Sequence, residues 1–266
     1  MCKRLTPPYH PSLLLFSGHL QTIWAARMRT NPAIQYRRQV FESENDLYPG
    51  TFAVDFVESG DEASTSSSTD DPSLPPHTTY FGSANLPAAS ADRRPMLVVL
   101  HGVSGGSHEP YVKHVLAPLA VAGWEACVVI SRGCGGSRLT GRMLYNARAT
   151  WDVAQTVRFL RRRFPNRPLY AVGFSIGANI LVNYLGEEGE RCGFRAAVVC
   201  SNPWNLEVVD HALRRSWVGL NVYSHAMANG MKEIVQRHAE MILRNRKIAA
   251  AAVKKIRYFF DFDRYA

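Results

Sequence analysis

Between Met96 and Cys200 the chain alternates short apolar runs with longer amphipathic stretches, and this alternation restricts its fold more than any other feature. Met96-Leu97-Val98-Val99-Leu100, Glu125 to Ile130, Leu169 to Val172 and Ala196 to Cys200 are each four to six residues long and mostly apolar. Such runs fit strands covered on both faces. Residues 110–122 read as a helix, as do 146–163, where Trp151, Ala154, Val157, Phe159 and Leu160 fall near helical spacing before Pro165 and Pro168. A further helix is expected from about Gly177 to Leu185, with Gly186 as its stop. Strands separated by helices imply βαβ units and a mostly parallel sheet, so the expected class is α/β.

The flanking sequence fits around that centre. Residues 35–41 and 51–57 alternate or run apolar and predict two early strands. Residues 59–95 are dominated by Ser, Thr, Asp, Pro and Ala. They bury too little apolar area to offset their ordering entropy, so a flexible insertion is expected there. After Cys200 the pattern turns helical. Val235, Ile242, Ala249 and Ile256 recur every seven residues with basic residues between them, which suits a long surface or cap helix within cap-like sequence at 204–260. No internal repeat is visible. The 266 residues, 46% hydrophobic and 20% charged, fit a single α/β domain with a real core.

Charge and cysteine content narrow the function classes. The net charge of +9 suits anionic surfaces, but much of it is local, in Arg161-Arg162-Arg163 and between Lys232 and Arg257, as expected of solvated helix faces. No aromatic-interleaved basic motif or zinc spacing supports nucleic-acid binding. Cys2, Cys127, Cys134, Cys192 and Cys200 are too sparse for a disulfide framework and predict reduced thiols in an intracellular compartment. The apolar stretch Leu13-Leu14-Leu15-Phe16 is too short for a signal sequence or a membrane span. The expectation is a cytoplasmic protein or one held peripherally at a membrane.

Two motifs carry chemistry. Gly173-Phe174-Ser175-Ile176-Gly177 sits between a buried strand and a helix, the context of a nucleophile elbow. Glycines two residues either side let neighbouring backbone pass without a clashing Cβ. The serine is then presented at the sheet's C-terminal edge beside a helix N-terminus, which favours a developing anion. His101-Gly102-Val103-Ser104-Gly105-Gly106 follows another buried strand. The backbone N–H groups of Val103 and Ile176 are the candidate oxyanion donors. His101 precedes that loop and reads as structural. Residues 131–137 lack a dinucleotide-binding glycine pattern, and Cys134 there has no evident catalytic partner. His108-Glu109 lacks the second histidine of a zinc helix, so no metal site is expected.

Ser17-Gly-His-Leu-Gln-Thr-Ile23, His101-Gly102 followed by Gly105 and Tyr111, Arg132-Gly-Cys-Gly135 and Gly173-Phe-Ser-Ile-Gly-Ala-Asn179 occur in one order. Together they resemble the AB hydrolase superfamily, type-4 family, and Asn202-Pro203-Trp204-Asn205-Leu206 resembles that family's passage into its helical cap. The resemblance implies an α/β-hydrolase fold and a serine hydrolase of acyl esters, with acyl transfer to alcohols as a related activity. Medium-chain fatty acid esters are among the implied substrates, and neither metal nor organic cofactor is implied. Ser175 would be the nucleophile, supported by His101, Gly102, Gly173 and Gly177.

In such enzymes an acid and then a histidine follow the serine in sequence. The resemblance places both on strands beyond the cap, whereas 91 residues follow Ser175 here. Asp210 with His211, His225 or His238 are the candidates by order, and Asp261 and Asp263 precede no histidine. None follows a recognisable strand and none is nominated. The expectation is a C-terminally truncated hydrolase without its last strands, whose edge at 196–200 is open to pairing. The competing expectation is an inactive descendant that binds lipid or another partner.

Overall fold

The computed structural model describes residues 8–27, 31–58, 71–82, 87–141, 143–144, 146–243 and 255–264. The chain divides into two units, Met1–Pro32 and Ala33–Ala266. In the first, a 3₁₀ turn at Leu13–Leu15 precedes helix α1, Gly18–Arg27, and neither buries a residue. The Gln21 amide donates to Leu15 O at 2.7 Å and joins the two.

The second unit is built on a seven-stranded sheet. Its strands are β1 Tyr36–Glu42, β2 Thr51–Val57, β3 Thr78–Tyr80, β4 Met96–Leu100, β5 Glu125–Ile130, β6 Leu169–Phe174 and β7 Phe194–Cys200, in the order β3-β1-β2-β5-β4-β6-β7. β5, β4, β6 and β7 are mutually parallel. β2 joins them antiparallel through β5, and β1 pairs antiparallel with β2. Helices α2 Pro110–Val121, α3 Thr150–Arg163 and α4 Ile176–Glu188 connect the parallel strands.

Side-chain alternation along each strand explains why the central runs are apolar throughout. Met96, Val98 and Leu100 point to the face covered by α3 and α4, against Val153, Val157, Leu160, Ile180 and Leu181. Leu97 and Val99 point to the other face, against Val112 and Leu116 of α2. Both faces are covered by apolar side chains, so the run is apolar at every position. β7 is the sheet edge, and Val198 there is 58% exposed.

Three sequence expectations are corrected. The segment expected as a flexible insertion at 59–95 contains β3, which pairs parallel with β1 over Thr78–Tyr80, and Asp92, which accepts from Arg167 at 2.6 and 2.8 Å. Residues 59–70 and 83–86 of that insertion lie outside the described residues. Gly186 does not stop its helix. α4 runs on to Glu188, and Gly189, at φ +55°, ends it. The long helix expected around the seven-residue repeat is broken. After α5, Leu206–Arg215, come a π turn at Gly219–Ser224, α6 His225–Arg237 and α7 Ala239–Leu243. The last two meet at His238, at φ −109° and ψ +18°, although His238 N still donates to Ile234 O at 3.1 Å and Ile242 N to His238 O at 3.0 Å, and its ring contacts Gly133 O at 3.0 Å. Val235, Ile242 and Ile256 are buried, and Ala249 lies outside the described residues.

A buried ion pair ties this scaffold to the loops above it. Arg38 of β1 donates twice to Asp55 of β2, at 2.6 and 2.8 Å, and neither side chain has solvent exposure. Ser107, in the loop after β4, donates to the same carboxylate at 2.5 Å, and Arg38 also reaches Ser137, after β5, at 3.3 Å. Removing one partner leaves a buried charge uncompensated, which typically costs about 3–5 kcal/mol, whereas replacing both with apolar groups costs far less. Asp55→Ala is therefore expected to lower the urea unfolding free energy by about 3–5 kcal/mol. The Arg38→Met/Asp55→Leu double variant should be more stable than Asp55→Ala alone.

Candidate active site

Ser175 is the single residue between the end of β6 at Phe174 and the start of α4 at Ile176. Its backbone stands at φ +53°, ψ −119°, a region that side-chain-bearing residues rarely occupy. Two hydrogen bonds hold it there. The Ser175 N–H donates to Cys200 O of the neighbouring strand at 2.9 Å, and Ser175 O accepts from Asn179 N at 3.1 Å. The flanking glycines are required by contact. A Cβ on Gly173 would stand 2.6 Å from Ala178 Cα, and one on Gly177 would stand 2.5 Å from Leu100 O. The sharp turn thus depends on β6, α4 and the end of β4 approaching backbone to backbone.

Gly102 and Val103 lie beside this turn. A point in the Cβ direction of Gly102 is 3.6 Å from Ser175 Cβ and 3.3 Å from Tyr111 Oη. The Gly102 N–H donates to that hydroxyl at 2.9 Å, and the Tyr111 ring lies 4.9 Å from the Phe174 ring, centroid to centroid. Tyr111 therefore fixes the turn that carries Val103. The Val103 N–H pairs with no described acceptor, and the Ile176 N–H, first in its helix, has no intrahelical acceptor. From the opposite side α6 rests on the loop, where a Cβ on Gly230 would collide with Ser104.

Beside this turn lies an open cavity of about 310 Å³ lined by Gly102, Val103, Glu109, Tyr111, Phe174, Ser175, Cys200 and Ser201. A larger cavity, about 640 Å³, lies elsewhere, between Gly136–Leu139 and Arg237–His238. It contains none of the motif residues, so the smaller cavity is the candidate site. The sequence drew attention to Gly102, Val103, Tyr111 and Ser175. Glu109, Cys200 and Ser201 were not singled out as site residues, because strand register and the path of the loop after β4 bring them in. The signal for Cys200 and Ser201 was their place at the C-terminal end of the strand next to the elbow. Cys134 is buried, at 1% exposure, and does not line the cavity.

His101 and the histidines that follow Ser175 are engaged elsewhere or exposed, while His108 stands beside Glu109 at the cavity, its Nε2 3.6 Å from Oε1. His101 is buried. Its Nε2 accepts from Ser131 N at 3.1 Å, which leaves Nδ1 to donate to Gly102 O at 2.7 Å. Burial pulls its pKa down to about 4, so the ring is neutral and serves as a brace under the loop. His225 contacts Arg257 O at 3.1 Å, His238 contacts Gly133 O, and His211 is exposed. Asp210 pairs with Arg214 at 2.8 Å, and Asp261 accepts from Arg257 N and Tyr258 N. The Asp263 side chain lies outside the described residues. Among the described residues, no side chain hydrogen-bonds to Ser175 Oγ.

Comparison with known proteins adds the following. The family model described as the alpha/beta hydrolase fold matches residues 95–260. The chain is 33% identical to the monoacylglycerol lipase of Saccharomyces cerevisiae, across 94% of this chain and 59% of that protein. It is 31% identical to medium-chain fatty acid ethyl ester synthase/esterase 2 of the same yeast, across 84% of this chain and 54% of that protein. The chain thus spans a little over half the length of these curated relatives. An esterase of Pyrococcus furiosus shares the fold with a TM-score of 0.51 over 81% of this chain and 71% of that one, at 14% identity.

Two outcomes follow from the site geometry. A side chain held in a sparsely populated backbone region costs on the order of 1–3 kcal/mol, and glycine removes that cost. Ser175→Gly should therefore unfold at higher urea concentration than Ser175→Ala. The second concerns acid. The unfolded chain protonates His101 near its ordinary pKa of about 6.5, while the fold keeps it neutral until about 4. Between those values the unfolded state holds the extra proton, so stability falls as pH drops from about 6.5 to about 4, by about 3 kcal/mol at most. His108 and His238, also lowered first by burial, act with the same sign. Urea unfolding across this range should give a shallower acid limb for His101→Gln than for the parent.

Proposed function

The chain belongs to the alpha/beta hydrolase fold family, and from that membership we propose that it is a serine hydrolase of acyl esters acting through Ser175. Ser175 Oγ attacks the ester carbonyl, and its proton passes through a base to the departing alcohol. The resulting acyl-Ser175 ester is cleaved by water or, in acyl transfer, by a second alcohol. The N–H groups of Val103 and Ile176 receive the charge that develops on the carbonyl oxygen. Removing one donor of this kind typically costs about 2.7–4 kcal/mol of transition-state binding. The observation that carries the reading is the Ser175 backbone, held at φ +53° between β6 and α4 at the wall of a cavity. Ser104 and Ser201 also stand at positive φ, and what sets Ser175 apart is its place as the single residue between strand and helix, with glycines two residues either side.

The similar yeast proteins are named for a monoacylglycerol lipase and a medium-chain ethyl ester synthase/esterase, which supports acyl esters of lipid type, medium-chain ones included, as the substrate class. Val103 and Cys200 are among the residues that line the cavity, which suits an acyl chain. Contact with a lipid surface fits the same substrates. No helix among the described residues is long and apolar enough to cross a membrane. No described residue is assigned as the base. A second reading is a scaffold that binds acyl lipids without turning them over.

Hydrolysis of a medium-chain p-nitrophenyl ester by the purified chain, beside Ser175→Ala, separates the two. The hydrolase reading expects turnover that falls to the uncatalysed background in the variant. Folded parent chain with no more turnover than Ser175→Ala would replace it with the binding reading.

A further inference from the structure

Glu109 is the one carboxylate among the residues that line the Ser175 cavity. It is the N-cap residue of α2, yet its side chain accepts no hydrogen bond from that helix. No lysine or arginine among the described residues lies within ion-pairing distance of it. Its one basic neighbour is His108, whose Nε2 stands 3.6 Å from Oε1. Burial and then the charges of Lys113 and Arg38 lower the His108 pKa, so this neighbour supplies little positive charge near neutrality. Burial also raises the Glu109 pKa, and no cation offsets it. Glu109 is partly buried, its side chain 29% exposed, and a carboxylate in such a place with no Lys or Arg paired to it is open to a cationic ligand.

Its surroundings say what would compensate it. A point in the Cβ direction of Gly105 is 3.2 Å from Glu109 Oε1 and 3.1 Å from Tyr111 Oη. The corresponding point on Gly102 is 3.3 Å from the same hydroxyl and 3.6 Å from Ser175 Cβ. Glu109, Tyr111 and Ser175 are therefore consecutive along one wall, with the Phe174 ring against Tyr111. A carboxylate beside two aromatic rings is the combination that recognises an ammonium group, through charge and through the negative faces of the rings.

We propose that Glu109, Tyr111 and Phe174 form a subsite for a positively charged, ammonium-type group on the alcohol side of the ester. The proposal rests on Ser175 being the reacting residue, and it adds a charge preference. The cavity selects cationic over neutral alcohol moieties and rejects anionic ones. A charge placed at a helix N-terminus only for its effect on the helix dipole would give no such selectivity.

Binding, not turnover, tests it. Hexyltrimethylammonium and hexanol are titrated calorimetrically into the whole chain, its Glu109→Gln variant and, as a surface control, Glu190→Gln. The expected result is at least roughly ten-fold tighter binding of the ammonium compound by the parent chain, a gap shrinking to about two-fold or less in Glu109→Gln and unchanged in Glu190→Gln. Glu109→Asp keeps the charge and should keep several-fold of the preference. Equal binding of the two compounds by the parent, or a preference that survives Glu109→Gln, would overturn the subsite. So would its complete loss in Glu109→Asp, which would mark a packing effect. Because no ester is cleaved, a failure here leaves the hydrolase reading standing, whereas failed hydrolysis with the binding preference intact would keep the ammonium subsite and overturn its assignment to the alcohol side of an ester.

Discussion

The Asp55 carboxylate has no solvent exposure, and the loops above the sheet are arranged around supplying its charge with partners. Arg38 comes from β1 and Ser107 from the loop after β4, while Arg38 in turn holds Ser137 after β5. Tyr36 donates to Ser107 O at 3.0 Å and closes the network. A buried charge of this kind contributes little net stability against an apolar substitute, but it permits only one arrangement of its donors. The positions of the loops that carry Val103 and Glu109 follow from that restriction. The antiparallel pair β1 and β2, which lies outside the parallel core, thus acts on the site from a distance.

A second layer of constraint comes from atoms that are missing. Gly173, Gly177, Gly102, Gly105 and Gly106 stand where strand ends, helix starts and loops touch through backbone or a held side chain. Their close approach compresses the turn at Ser175 and brings the end of β4 beside it. The strain in the serine is then maintained by its hydrogen bonds to Cys200 O and Asn179 N, and by the hydrophobic packing of α4 against the sheet. His101 works from below as a neutral brace, with one nitrogen accepting from the loop after β5 and the other donating to Gly102. Electrostatics, sterics and packing meet at one place, where the candidate chemistry also lies.

What the sequence determined by itself is what local pattern can encode. Runs such as Met96–Leu100 are apolar at every position because both sheet faces are covered, and that alone fixed strand identity and the α/β class. Gly173-Phe-Ser-Ile-Gly177 marked its turn because no other spacing lets backbone pass on both sides of a side chain. Other features were not legible for equally physical reasons. The strand Thr78–Tyr80 is too short and polar to stand out, and it exists because β1 offers it an edge. α4 runs through Gly186 because packing outweighs the modest helix penalty of glycine. The contact that holds the His238 ring is with a carbonyl 105 residues earlier in the chain. The placement of Glu109, Cys200 and Ser201 around Ser175 likewise required the strand order and the buried Arg38–Asp55 pair. Periodicity and glycine spacing are properties of neighbours in sequence, and only the folded sheet could decide which distant side chains share a cavity.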